Sequence, residues 1–114
     1  MPMKFRIVDV YLHSVNFAQM DENRYLLIIN PISGTGNKRG LAEYVAAHLG
    51  KAGISIDVAY TQGHGDATRF TLDAVSKGYA AVLAAGGDGT VNETARALCG
   101  TPTALGIIPS GSGN

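Results

Sequence analysis

The apolar positions of this chain fall into short blocks with two different periods. Tyr25 to Asn30 is apolar until its last residue, and Ala80 to Ala85 is six small or branched apolar residues without alternation. Both predict strands buried on two faces. Ile54, Ile56, Val58 and Tyr60 alternate with Ser55, Asp57 and Ala59, which predicts a half-buried strand nearer a sheet edge. Ala104 to Ile108 reads as a fourth strand. Between these blocks the period is helical. Leu41, Val45, Leu49 and Ala52 make one stripe with Tyr44 and His48 beside it, predicting a helix over about 38–52 that Gly53 stops. Asp66 has the character of an N-cap for a helix over 67–77, with Phe70, Ala74 and Val75 inward and Gly78 at its end. A third helix is expected over about 91–99, with Thr90 and Glu93 in capping-box spacing.

Strand–helix–strand–helix–strand–helix–strand with short connections implies an α/β fold. A mainly parallel sheet would carry helices on its faces and right-handed crossovers between strands. Such sheets bind ligands beyond the carboxyl ends of their strands. The unusual loops all lie at such ends: Asn30 to Gly36, Thr61 to Gly65, Gly86 to Thr90 and Pro109 to Asn114. Residues 1–24 are read as an N-terminal extension, an upstream start or a disordered arm, closing in a polar linker from Asp21 to Arg24. No function is assigned to them.

Composition narrows the class. The chain has 114 residues, 46% hydrophobic and 16% charged, enough to build a core and unlike a disordered tail. Nine basic residues balance nine acidic ones, and no basic run supports a nucleic-acid partner. Cys99 is the only cysteine, which excludes an internal disulfide and fits a reducing compartment. It is expected to be a small buried hydrophobe. No apolar run has the length of a membrane span, and the first 20 residues make a poor signal peptide. A cytoplasmic protein is expected, and work at the inner membrane surface stays open.

The loops carry the candidate chemistry. Gly86-Gly87-Asp88-Gly89-Thr90, after a doubly buried strand and before a helix, has the layout of an anion site. Glycines let a phosphate approach the backbone, and the helix N-terminus offers unpaired N–H groups. Asp88 can hold Mg²⁺ or order a ligand hydroxyl, and Thr90 can bond a phosphate oxygen. The turn is neither the dinucleotide fingerprint nor the P-loop. Asn30 and Ser33 could serve a phosphate or ribose, and Thr61 would face the same crevice. Each of these alone also reads as an ordinary turn or strand end. His64, between two glycines, has no assignable acid partner and reads as an exposed loop residue. His13 and His48 are equally bland, and no spacing suggests a zinc site.

Taken together, these pieces resemble the diacylglycerol kinase catalytic domain family, the lipid kinases that include sphingosine kinases. The resemblance rests on Asn30-Pro31-x-Ser33-Gly34, Thr61 with Gly65-Asp66-Ala67, and Gly86 through Glu93. It extends to Leu105-Gly106-Ile107-Ile108-Pro109 with Gly111-Ser112-Gly113-Asn114, and so covers about 25–114. It implies a three-layer α-β-α nucleotide-binding domain of the NAD-kinase and phosphofructokinase kind. It further implies ATP-dependent, Mg²⁺-assisted phosphorylation of a lipid hydroxyl such as that of diacylglycerol. On matched positions the nucleotide would be held by Thr61, by Gly86, Gly87, Asp88, Gly89, Thr90, Val91, Asn92 and Glu93, and by Gly111 and Ser112. Asn30 and Ser33 would line the same pocket. Asp88 would be the catalytic and metal-binding acid. Family members continue into a β-rich second domain that contributes to the lipid site and, in many, supplies the general base. The chain is therefore expected to be a truncated domain, inactive or weakly active alone. Two alternatives stay open: an NAD-kinase-like enzyme and a non-catalytic nucleotide-binding module.

Overall fold

The computed structural model describes residues 20–32 and 40–108. It contains β1 (Asp21–Ile29), α1 (Leu41–Gly50), β2 (Ser55–Tyr60), α2 (Asp66–Ser76), β3 (Tyr79–Ala85), α3 (Asp88–Leu98) and β4 (Ala104–Ile107). The four strands form one parallel sheet in the order β2-β1-β3-β4. The expected order of elements and the parallel α/β architecture are both present, with the alternating strand β2 at an edge.

The absence of alternation in β1 and β3 has a direct cause. Tyr25, Leu27, Ile29 and Leu83 join one core cluster with Val45 of α1, and partly buried Leu41 and Leu49 pack on it. Leu26, Ile28 and Val82 join the other with Ala67 and Ala74 of α2 and Leu98 of α3. Both faces are apolar because both are covered, and all seven residues of β3 are buried. Removing each large aliphatic side chain from water is worth about 1.5–3 kcal/mol, so these central strands anchor the layers.

Several local expectations change. β1 begins at Asp21, inside the segment expected to be a linker. Its first four residues are exposed, but the Asp21 N–H donates to the Gly78 carbonyl at 2.8 Å. The Arg24 guanidinium bonds Asp57 at 2.9 Å and lies 4.5 Å from the centre of the Tyr79 ring. The Tyr79 hydroxyl donates to the same Asp57 carboxylate. Polar side chains thus tie the amino ends of β1, β2 and β3 together. Ala52 falls outside α1 and is exposed, while Tyr44 and His48 stack on each other at the surface. Cys99 is exposed at the end of α3, not buried. The α1 side of the sheet retains an apolar recess of about 510 Å³ between α1 and β4, lined by Tyr25, Tyr44, His48, Leu83 and Ile107.

Candidate functional site

A cleft of about 180 Å³ opens at the carboxyl ends of β1, β2 and β3. Three strand-to-helix junctions build it. Asn30 directly follows β1, and its N–H donates to the Ala85 carbonyl at 2.9 Å, extending the ladder between β1 and β3. Its side-chain Oδ1 accepts from the Ile32 N–H at 3.1 Å. The side chain can still donate through its amide NH₂. Thr61 directly follows β2 and is buried, with its N–H donating to the Ile29 carbonyl at 2.9 Å. Both residues line the cleft.

The third junction is tighter than expected. α3 begins at Asp88, a turn earlier than the apolar pattern suggested, so Gly89 and Thr90 belong to its first turn. Gly87 is the N-cap in an extended conformation, and no side chain caps this helix. Thr90 is therefore not a capping-box residue. It is buried on the wall of the cleft beneath Gly86. A Cβ on Gly86 would lie 2.8 Å from Thr90 Oγ1 and 3.0 Å from Asn30 Cβ. Gly86 lacks a side chain because two junctions meet there, not because its backbone needs positive φ. Gly89, by contrast, has nothing within 4 Å of a built Cβ. Asp88 is exposed at the start of α3, where the helix dipole favours an acid.

Glu93 does not bond back to its own helix. Its Oε2 accepts from the Gly65 N–H at 3.0 Å, and its Oε1 accepts from the Thr68 N–H at 3.2 Å and the Thr68 hydroxyl at 3.4 Å. The Gly65 N–H chiefly, with the Thr68 donors adding, holds the Glu93 carboxyl below the usual glutamate range. Asp66 also departs from the capping role expected of it. Gly65, at φ 90°, is the N-cap of α2, and Asp66 is the first helical residue. The Asp66 Oδ2 accepts from the N–H groups of Gln62 at 2.7 Å and Gly63 at 3.1 Å. The Gln62 N–H is the main cause of its lowered pKa.

Of the expected ligands, Asn30, Thr61, Gly89, Thr90 and Glu93 come together on this cleft. Gly86 lies behind Thr90, and Asp88 stands at the start of the helix. Val91 and Asn92 continue along α3 and are not among the residues lining the cleft. Ser33, Gly111 and Ser112 lie outside the described residues. The sequence pattern did not point to Gln62, Gly63 or Ile32, which also line the cleft. Gln62 and Gly63 offer little side-chain signal, and only Asp66, three to four residues on, hints at a closed turn. His64 is fully exposed, with its ring 4.0 Å from Glu93. Among the described residues no group of three or more acids, histidines or cysteines is set to hold a metal ion.

Chemically, the cleft is lined by the hydroxyl residues Thr61 and Thr90, the amide residues Asn30 and Gln62 and the first turn of α3, with the Glu93 carboxylate engaged by the Gly65 and Thr68 N–H groups. That set suits an anion with several oxygens. About 180 Å³ is room for phosphate groups, whereas whole-ligand pockets run from about 300 Å³ upward.

Residues 24–114 match the family model of the diacylglycerol kinase catalytic domain. The chain is 41% identical over 101 residues to a Xanthomonas campestris protein named "Probable lipid kinase YegS-like", covering 83% of this chain and 32% of that protein. It is 39% identical over 88 residues to a Mycobacterium tuberculosis protein named "Diacylglycerol kinase", covering 76% and 28%. A crystal structure of a diacylglycerol kinase from Bacillus anthracis superposes with a TM-score of 0.65 at 32% identity, covering 78% of this chain and 33% of that one. The chain thus spans about a third of the length of the relatives it matches.

Proposed function

The chain belongs to the diacylglycerol kinase catalytic domain family, and from that premise we propose that it forms the nucleotide-binding part of an ATP-dependent lipid kinase. The observation that carries this reading is the convergence of Asn30, Thr61 and Thr90, beside the first turn of α3, on a phosphate-sized cleft.

In this reading the two hydroxyls and the Asn30 amide donate to phosphate oxygens of ATP. The exposed first turn at Gly89 lets the phosphates approach backbone. Ser33, Gly111 and Ser112 join as further ligands by family resemblance. The reaction forms a bond from a lipid hydroxyl oxygen to the γ-phosphorus and breaks the bond to the β–γ bridging oxygen, releasing ADP. The hydroxyl proton passes to a general base, which family resemblance assigns to a β-rich second domain. Such transfer depends on positioning and charge neutralisation more than on covalent help. Mg²⁺ commonly takes one or two protein carboxylates and completes its shell with phosphates and waters, so the single exposed carboxylate of Asp88 fits it. When bound, the ion would offset phosphate charge. The acceptor is a lipid alcohol of the diacylglycerol class, met by peripheral contact with a membrane surface. No helix among the described residues is long and apolar enough to cross one.

The test is an activity panel on the full-length protein, with ATP and Mg²⁺ against diacylglycerol, sphingosine and NAD. Phosphorylation of a lipid is expected, and Asp88→Ala should lower kcat by at least about a hundredfold, the scale of losing a transition-state charge partner. Phosphorylation of NAD alone would overturn the lipid assignment. Undiminished turnover in the variant would remove Asp88 from the chemistry. Residues 1–114 alone are expected to transfer no measurable phosphate, which a radiolabelled ATP assay checks.

A further inference from the structure

Glu93 stands on the second turn of α3, yet both of its oxygens serve the opening of α2. α2 has no side-chain cap of its own, since glycine occupies its N-cap. Asp66 binds the Gln62 and Gly63 N–H groups just upstream. Four backbone N–H groups of this junction, at Gln62, Gly63, Gly65 and Thr68, are therefore taken by two carboxylates. The α2 terminus is occupied from within, while the α3 terminus has no side-chain cap.

The geometry has a second consequence. Thr61 and Thr90 lie on different junctions, and no hydrogen bond between them holds their spacing. Glu93 spans the gap, because it grows from the helix that carries Thr90 and grips the segment that follows Thr61. We propose that Glu93 is a positioning residue that braces the α2 opening against α3 and so fixes the two hydroxyl-bearing walls of the cleft. This deepens the nucleotide-binding reading and rests on it. Glu93 also faces the cleft, so direct bonding to a nucleotide hydroxyl is the competing assignment.

The carboxylate chemistry makes the two separable. Glu93 uses one oxygen for each N–H. Glutamine keeps one acceptor oxygen and replaces the other with a donor, so one N–H must lose its partner. Charge-assisted bonds of this kind are worth roughly ten- to a hundredfold in local opening.

The experiment uses the full-length protein without nucleotide, comparing wild type with Glu93→Gln by amide hydrogen exchange. Exchange over residues 62–68 is expected to rise about tenfold or more in the variant, while β1 and β3 stay protected. In steady-state assays the same variant should raise KM for ATP about tenfold and change kcat by less than about threefold, because the brace acts on binding geometry. Glu93→Asp, which keeps both oxygens on a shorter arm, should recover part of the protection. Unchanged exchange over 62–68 overturns the proposal, and a raised KM beside it marks Glu93 as a direct ligand. A rise spread over the whole sheet also overturns it, marking general loss of fold. If the wild-type protein neither binds nor uses ATP, the nucleotide reading fails, while the exchange comparison still decides whether the brace exists.

Discussion

Gly86 and Gly89 sit three residues apart and do different work. The first is closed in by Thr90 and Asn30, the second faces open space. Gly86→Ala forces both neighbours to shift and should destabilise the fold by about 1–3 kcal/mol in denaturant titration, the usual cost of overpacking. Gly89→Ala removes a flexible residue from the first turn of α3 and should stabilise the fold by up to roughly 1 kcal/mol. If phosphate approaches the backbone there, ADP affinity falls even as the melting temperature rises. Calorimetry on the pair of variants checks both, and an unchanged affinity in Gly89→Ala would move the phosphate elsewhere. Thr71 and Thr94 offer a simpler case. Both are fully buried, and their hydroxyls have no hydrogen-bond partner. Thr71→Val or Thr94→Val keeps the shape and removes an unsatisfied group, so each should be neutral or stabilising by about 1 kcal/mol.

At the scale of elements, the strands are tied at both ends by polar groups. The amino ends carry Arg24, Asp57 and Tyr79. At the carboxyl ends Asp66 closes the β2–α2 junction on itself, and Glu93 ties that junction to α3. The Tyr79 hydroxyl first, and then Arg24, hold the Asp57 carboxyl below its ordinary value. Asp66 and Glu93 are lowered by backbone N–H groups. A carboxylate with a lowered folded-state pKa stabilises the fold above its unfolded value, about 4, and that stability disappears as pH falls through the folded value. Urea midpoints should therefore hold steady near neutrality and fall below about pH 4. Asp57→Asn should flatten part of that fall and lower the midpoint at neutral pH. These ties also explain why Asp21 to Arg24 did not read as strand. Its backbone is partly paired, but its side chains are exposed and charged, so hydrophobic pattern is silent there.

At the scale of the molecule, the two faces of the sheet differ. α2 and α3 pack over one face, whereas among the described helices α1 alone contributes to the core of the other, leaving the apolar recess beside β4. The chain spans about a third of its relatives' length, and the proposed chemistry assigns the acceptor and the base to the remainder. The isolated chain should therefore keep some nucleotide affinity while lacking transfer. A nucleotide titration followed by heteronuclear NMR, run beside the radiolabel assay, separates the two properties.

The loop motifs carried the resemblance to the family, and the pattern of residues along the chain was enough for the order of elements, the parallel α/β class and the central place of β1 and β3. Those features follow from local preference and from burial, which short runs of sequence record directly. That Asn30, Thr61 and Thr90 would meet on one cleft was legible because loops at the carboxyl ends of parallel strands must share one edge. The partners of Glu93, Asp66 and Gly86 were not legible. Glu93 stands in capping-box spacing and Asp66 in N-cap position, and local spacing assigned both to the helices they begin. Each carboxylate instead reaches outward to N–H groups before or beyond its own helix. Gly86 looked like a gap for a ligand and is filled by Thr90 and Asn30. Those choices depend on how close two helices and three junctions stand, which only the packing of the whole sheet decides.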